Sequence, residues 1–331
     1  MKNYTTALVI LFSFTCWLTA AGSLGQSGGN FLQISPEARG ASLGGAIPAA
    51  ASGASALYWN PAGILQNKKT AFIMAHTDWF MDTHLSFGGL VYKMDEQNAL
   101  GLSVLHFGMD DTEITTVFEP DGSGDYYQVS DLAVGFSYTR AMSDRFTVGL
   151  TGKYIRETIW NEDADQYALD VGSLYSADFR NLRLGMSVRN LSGKLEYSGD
   201  DIDDRLNEEQ ALEEENNPRI ERLTPGFRLP QVFNFGVAFV PVDLPTGILT
   251  VMTSVDVPSD NEERMILAAE YDLAGVAFLR GSLVSHDDTR SFALGAGVQV
   301  PYSVGKCGLD YSYSAHEYFG DVHRFSIILG I

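Results

Sequence analysis

The sequence predicts an all-β fold, a transmembrane β-barrel of about fourteen antiparallel strands with an N-terminal plug segment inside it. Three observations predict it. Runs of period-two alternation follow one another from residue 69 to the end. The lengths of the connections between them keep a fixed parity. A secretion-signal pattern stands ahead of both.

The alternation comes first. Leu182, Leu184, Met186 and Val188 fall on one face of a strand, with Arg183, Gly185, Ser187 and Arg189 on the other. Phe146, Val148, Leu150 and Tyr154 alternate with Thr147, Gly149, Thr151 and Lys153 in the same way. About fourteen such segments can be marked by this rule. They lie near 69–77, 83–93, 98–109, 130–142, 145–157, 165–177, 180–194, 230–241, 246–257, 262–272, 275–285, 290–300, 306–315 and 322–331. Most are roughly ten residues or more, as a tilted strand needs to cross a bilayer. Strands of soluble domains are nearer five or six.

The connections test this independently. After even-numbered segments they are short turns, such as Met94–Gln97 and Leu273–Ala274. Both long loops, near 110–129 and 195–229, follow odd-numbered segments. A membrane barrel has short periplasmic turns and longer extracellular loops, whereas a soluble sandwich has no reason to sort them. An even strand count puts both termini on the periplasmic side. The inner face then carries Lys153, Asp170, Arg183, Arg189, Glu270, Arg280 and Asp310. An Arg or Lys facing lipid at the midplane would cost about 2–4 kcal/mol. Tyr92, Tyr154, Trp160, Tyr167, Tyr175 and Tyr271 sit towards strand ends, as aromatic girdles do.

At the N-terminus, Lys2 precedes an apolar run, Ala7 to Thr19, followed by small residues. This reads as a signal peptide over 1–25, cleaved after Ser23 or Gly25. The remaining chain divides into a plug segment, 26–68, and the barrel, 69–331. Cys307 is the single cysteine left after cleavage, so no internal disulfide is expected. The formal charge of −20 makes nucleic acid a poor partner.

The plug segment does not alternate. From Ala38 to Leu65 it is rich in Gly, Ala and Ser, with Trp59 as its bulky anchor. Trp59, Asn60, Pro61, Ala62 and Gly63 form a turn signal. A polar turn inside a lumen needs internal hydrogen-bond partners, and Arg183, Glu270 and Arg280 are candidate neighbours. Arg39 is a candidate for ion pairing with Asp310 or Glu270.

These residues also carry a resemblance. Ala38-Arg39-Gly40, Gly44-Gly45-Ala46 and Ala54 through Gly63 resemble the N-terminal signature of the PorV/PorQ family, within the wider FadL-like group of outer-membrane barrels. Asp256-Val257-Pro258, Leu279-Arg280-Gly281, Leu309-Asp310-Tyr311 and His323-Arg324-Phe325-Ser326 resemble that family's strand motifs, in its order. The resemblance implies a fourteen-stranded barrel with a hatch containing Asn60, Pro61 and Ala62. It also implies an outer-membrane role in type IX secretion, with secreted cargo proteins or secretion-machine components as partners besides the membrane lipid. The alternative it leaves open is a FadL-like passive transporter of hydrophobic small molecules.

No catalytic motif stands in the sequence: there is no Gly-x-Ser-x-Gly elbow, no His-Glu-x-x-His and no Cys/His cluster. A non-enzymatic protein without cofactor or metal is expected. The acids from Asp200 to Glu215 lack the alternating spacing of a calcium loop. They read as a solvated extracellular loop, with a short helix at Gln210–Asn216.

Overall fold

The computed structural model describes residues 25, 27–66, 70–199, 226–285, 291–303, 305–316 and 320–330. The signal segment up to residue 24, the clustered acids from Asp200 to Glu215 and the helix at Gln210–Asn216 lie outside the described residues. No helix among the described residues is long and apolar enough to cross a membrane, so any crossing is made by strands.

Period-two alternation becomes fourteen long strands. They are β1 (Thr70–Asp78), β2 (Thr83–Lys93), β3 (Asn98–Met109), β4 (Val129–Ser143), β5 (Phe146–Ile159), β6 (Glu162–Ser176) and β7 (Arg183–Ser192). They continue as β8 (Val232–Leu244), β9 (Gly247–Pro258), β10 (Arg264–Leu273), β11 (Ala277–Ser285), β12 (Phe292–Tyr302), β13 (Gly305–His316) and β14 (Gly320–Gly330). Neighbours in the chain pair antiparallel, and β14 returns to β1, with Ala71 opposite Gly330 and Thr77 opposite Arg324. Closure removes the free edges of the wall, which an open sheet in lipid would leave unsatisfied. The fourteen segments read from the sequence each hold one of these strands, with ends displaced by a few residues, as at β6.

The two faces sort as the alternation requires. Leu279 and Leu283 are both 63% exposed and Leu267 54%, values that in water would mark a large unburied apolar surface. The opposite face is polar and buried, with Ser137, Thr139, Thr151, Ser187 and Ser312. An apolar outside around a polar inside is the arrangement of a barrel in lipid. The alternation breaks at a register shift between β6 and β7, beside Leu169 and Val171. There Asn190 adopts a left-handed φ of 60°, and its N–H donates to Asp170 Oδ1 at 2.8 Å.

The lumen is filled by the segment preceding β1. It runs through a 3-10 turn (Asn30–Gln33), α1 (Ala38–Ser42), a 3-10 turn (Gly53–Ser55), α2 (Ala56–Trp59) and a last 3-10 stretch (Pro61–Gln66). Its small side chains let these short pieces stack inside the wall, and Ala38, Ala41, Leu43, Ile47, Leu57 and Ile64 are wholly buried. Glu37 caps α1, accepting from the backbone N–H groups of Arg39 and Gly40 at 2.8 Å each.

One expectation is corrected here. The segment does not begin at the short-turn end of the barrel. Gly25 N–H donates to the Asp260 carbonyl at 3.1 Å, Gln33 Nε2 to Asp260 Oδ2 at 2.9 Å, and Gly28 N–H to the Arg228 carbonyl at 3.1 Å. Asp260 lies in the connection after β9 and Arg228 at the base of the second long loop, both at the long-loop end. The segment therefore threads the whole lumen before starting β1. Strand parity governs the strands of the wall, not a segment that passes through them.

Candidate functional site: the interface between plug and wall

On the β4–β8 side the plug turn meets the wall through neutral groups. Asn60 Nδ2 donates to the carbonyls of Pro48 (2.7 Å) and Ser173 (3.1 Å), and Asn60 Oδ1 accepts from Ala62 N–H at 3.1 Å. Gly63 N–H closes the turn on the Asn60 carbonyl at 2.9 Å. Thr139 of β4 donates to the Pro61 carbonyl at 2.5 Å, and Ser187 of β7 to the Trp59 carbonyl at 3.0 Å. Three strands thus hold one turn, and all of these groups are buried except Ser173, which is half-buried. A buried amide left unpaired would cost about 1–3 kcal/mol, so the pairing is what allows Asn60 to stand there.

The wall makes room with glycine. A Cβ on Gly149 of β5 would overlap Pro61, and one on Gly172 of β6 would overlap Asn60. The strand backbone itself forms the socket. The charged neighbours anticipated for Asn60 are therefore not its partners: Glu270 and Arg280 stand in the other half of the wall, and main-chain carbonyls take their place.

On the β10–β13 side the contact is ionic. Arg39 Nε and Nη2 donate to Glu270 Oε2 and Oε1 at 2.9 and 3.0 Å, a two-point pairing. Arg280 Nε donates to Glu270 Oε2 at 2.7 Å and Arg280 Nη1 to Asp310 Oδ1 at 2.6 Å. The chain Arg39–Glu270–Arg280–Asp310 joins plug, β10, β11 and β13. Arg183 of β7 makes no ion pair among the described residues.

Glu37 and Arg324 are not among the inward charges read from the alternation, whereas Lys153, Asp170 and Arg189 are. Glu37 is wholly buried and, besides capping α1, accepts from Ser55 Oγ (2.8 Å) and Trp59 Nε1 (3.0 Å). Burial pushes its carboxyl above the ordinary range, opposed by Ser55, Arg39 and Trp59. Arg324 of β14 is buried and donates to the Ser35 carbonyl at 3.0 Å. Lys153 pairs with Asp170 at 2.6 Å, and Arg189 lies 4.8 Å above the Tyr58 ring. The usable signal was parity, which places Arg324 and Ser326 inward once Phe325 and Ile327 face out.

Below the ionic contact a cavity of about 780 Å³ opens at the short-turn end, with Arg39, Glu270, Arg280 and Asp310 among its lining and Lys306 nearer its mouth. Among the described residues no group of three or more His, Cys, Asp or Glu is placed to hold a metal ion.

Comparison with known proteins places this geometry. The family described as type IX secretion system protein PorV matches residues 24–213, more than half of the chain. No curated protein matches the sequence. Among solved structures, the chain is similar to a Pseudomonas aeruginosa FadL homologue, at 12% identity and a TM-score of 0.56, over 93% of this chain and 99% of that one. It is similar to the CymD monoaromatic hydrocarbon channel at 12% identity and a TM-score of 0.57, over 90% and 98% of the two chains. The Pseudomonas putida toluene transporter TodX gives 10% identity and a TM-score of 0.54, over 85% and 94%. At such identities the likeness is one of fold.

Proposed function

Because this chain belongs to the PorV family of type IX secretion proteins, we propose that it serves secretion as a closed outer-membrane barrel that binds rather than conducts. The observation that carries this reading is the doubly fastened plug. A turn hydrogen-bonded to three strands on one side and an ion chain on the other suit a lumen kept shut. The long-loop end, with loops 110–129 and 195–229, then faces outward and meets secreted cargo proteins or secretion-machine components. The short-turn end faces the periplasm. The role is non-enzymatic, and residues 1–25 are removed as a signal peptide.

The second reading is a passive transporter of hydrophobic small molecules, supported by the fold shared with hydrocarbon channels. Affinity isolation of the native protein from membranes separates the two. Recovery of secreted proteins bearing a common sorting domain, or of other membrane components of a secretion machine, is the expected result. Isolation free of protein partners, with an apolar solute bound, would overturn the secretion role.

A further inference from the structure

Most glycines on the inner wall of this barrel stand against the plug, while Gly135 and Gly297 stand against side chains of the wall itself. A Cβ on Gly89, Gly149, Gly172, Gly185, Gly236 or Gly295 would stand closer than 3.0 Å to a plug residue. Each of these glycines is required because something passes against it. Gly308 of β13 and Gly330 of β14 also point inward, both on the wall of the 780 Å³ cavity. A Cβ on Gly308 would meet nothing closer than 3.8 Å, and one on Gly330 nothing closer than 3.9 Å. Neither has a left-handed φ. Among the described residues, no packing and no backbone conformation calls for glycine at these two places. Glycine inside a strand often marks a bulge, a tight bend, or the close approach of a ligand or another backbone, and neither Gly308 nor Gly330 lies at a register shift of its ladder. Elsewhere on this wall the visitor includes backbone: Pro61 and Ala62 against Gly149, Pro48 and Ala49 against Gly185.

We infer that the cavity is a periplasmic socket for an extended, acidic segment of a partner polypeptide, seated against Gly308 and Gly330. The plug and the Arg39–Glu270–Arg280–Asp310 chain close the inner end, so the occupant enters and leaves by one mouth. Phe278 and Ile328 supply an apolar wall for its side chains. The ion chain at the floor balances two cations against two anions and has no need of a further charge. Lys306, by contrast, is exposed and donates only to Gln299, at 3.3 Å, with no carboxylate partner among the described residues. A carboxylate on the incoming segment complements it.

This goes beyond the secretion role and uses only the orientation given above. The test takes the purified full-length mature protein in detergent and three pools of fluorescein-labelled octapeptides. The pools share an alternating Gly, Ala and Val background and carry two Asp, two Asn or two Lys. By anisotropy the Asp pool binds about fivefold or more tightly than the Asn pool, and the Lys pool does not bind. Gly308→Leu and Gly330→Leu fill the cavity and each weaken the Asp pool about tenfold or more. Lys306→Gln, an exposed change that leaves the cavity intact, brings the Asp pool to the level of the Asn pool. Heat-modifiable gel mobility confirms that each variant is a folded barrel. Equal binding of the Asp pool to the parent and to Gly308→Leu would overturn the socket. So would binding of sodium laurate in the cavity with no binding of any peptide pool. Because this assay uses isolated protein, its failure leaves the secretion role standing, and failure of the co-isolation above leaves the socket standing.

Discussion

On the β4–β8 side of the plug, Asn60 spends its side chain on two carbonyls and an amide, and glycine in β5 and β6 brings strand backbone up to the turn. On the β10–β13 side, Arg39 spends its guanidinium on a carboxylate that Arg280 already holds, and the space beneath is open. On the first side the turn itself is held by neutral groups and packed closely against the wall, with the Lys153–Asp170 pair and Arg189 on the same strands. The second is charged and borders a cavity large enough for water or a ligand. The difference reflects desolvation. Neutral groups can be buried fully once paired, whereas charges taken from water lose several kcal/mol each and tolerate burial best in networks. The proposed closed lumen assigns sealing to the first side and positioning of the plug to the second.

Removing both fastenings should have the largest effect. Deletion of Ser27–Leu65 is expected to leave a barrel that inserts and runs heat-modifiable on gels, but conducts ions in planar bilayers where the intact protein does not. Unchanged conductance would mean that neither side seals anything. Next, Glu270→Ala strips Arg39 of its carboxylate while Arg280 keeps Asp310. Breaking a buried pair from one side costs about 3 kcal/mol, read as a lower denaturant midpoint in detergent. A midpoint equal to the parent's would show that Arg39 is solvated through the cavity.

Asn60→Ala attacks the neutral side. Two carbonyls and one N–H lose a partner, and about 2 kcal/mol should be lost, with new protease cleavage between Ala38 and Leu65. If Asn60→Ala proves costlier than Glu270→Ala, the neutral side positions the plug as well as sealing it. Smallest is Ser187→Ala, which removes one hydroxyl donor to the Trp59 carbonyl. About 1 kcal/mol is expected, with no conductance. A conducting Ser187→Ala variant would make the single Trp59 contact the seal.

How much of this was legible in the sequence follows from the range of the interactions. A strand's two faces are set by neighbours one and two residues away, so the alternation in 180–194 announced β7 without any knowledge of its partners. Loop parity is equally a property read along the chain. Inward charges of the wall followed from the same register, which is why Glu270, Arg280 and Asp310 could be named as candidates, with Arg39 of the plug as their possible partner, before their distances were known. Their pairing could not. Arg39 and Glu270 are 231 positions apart, and the choice between Glu270 and Asp310 depends on how deep α1 sits in the lumen.

The sequence by itself thus determined the strand count, the sidedness of each strand and the small-residue character of the plug, because these rest on local periodicity and side-chain size. Only the tertiary structure decided what touches what inside. It put Glu37 at the centre of four donors, set Arg324 against Ser35, and carried Gly25 to Asp260 at the long-loop end. It also gave Asn60 carbonyls rather than charges. Each of these contacts depends on closing β14 onto β1 around a threaded segment. Closure brings together residues hundreds of positions apart, and no local rule encodes which of them will meet.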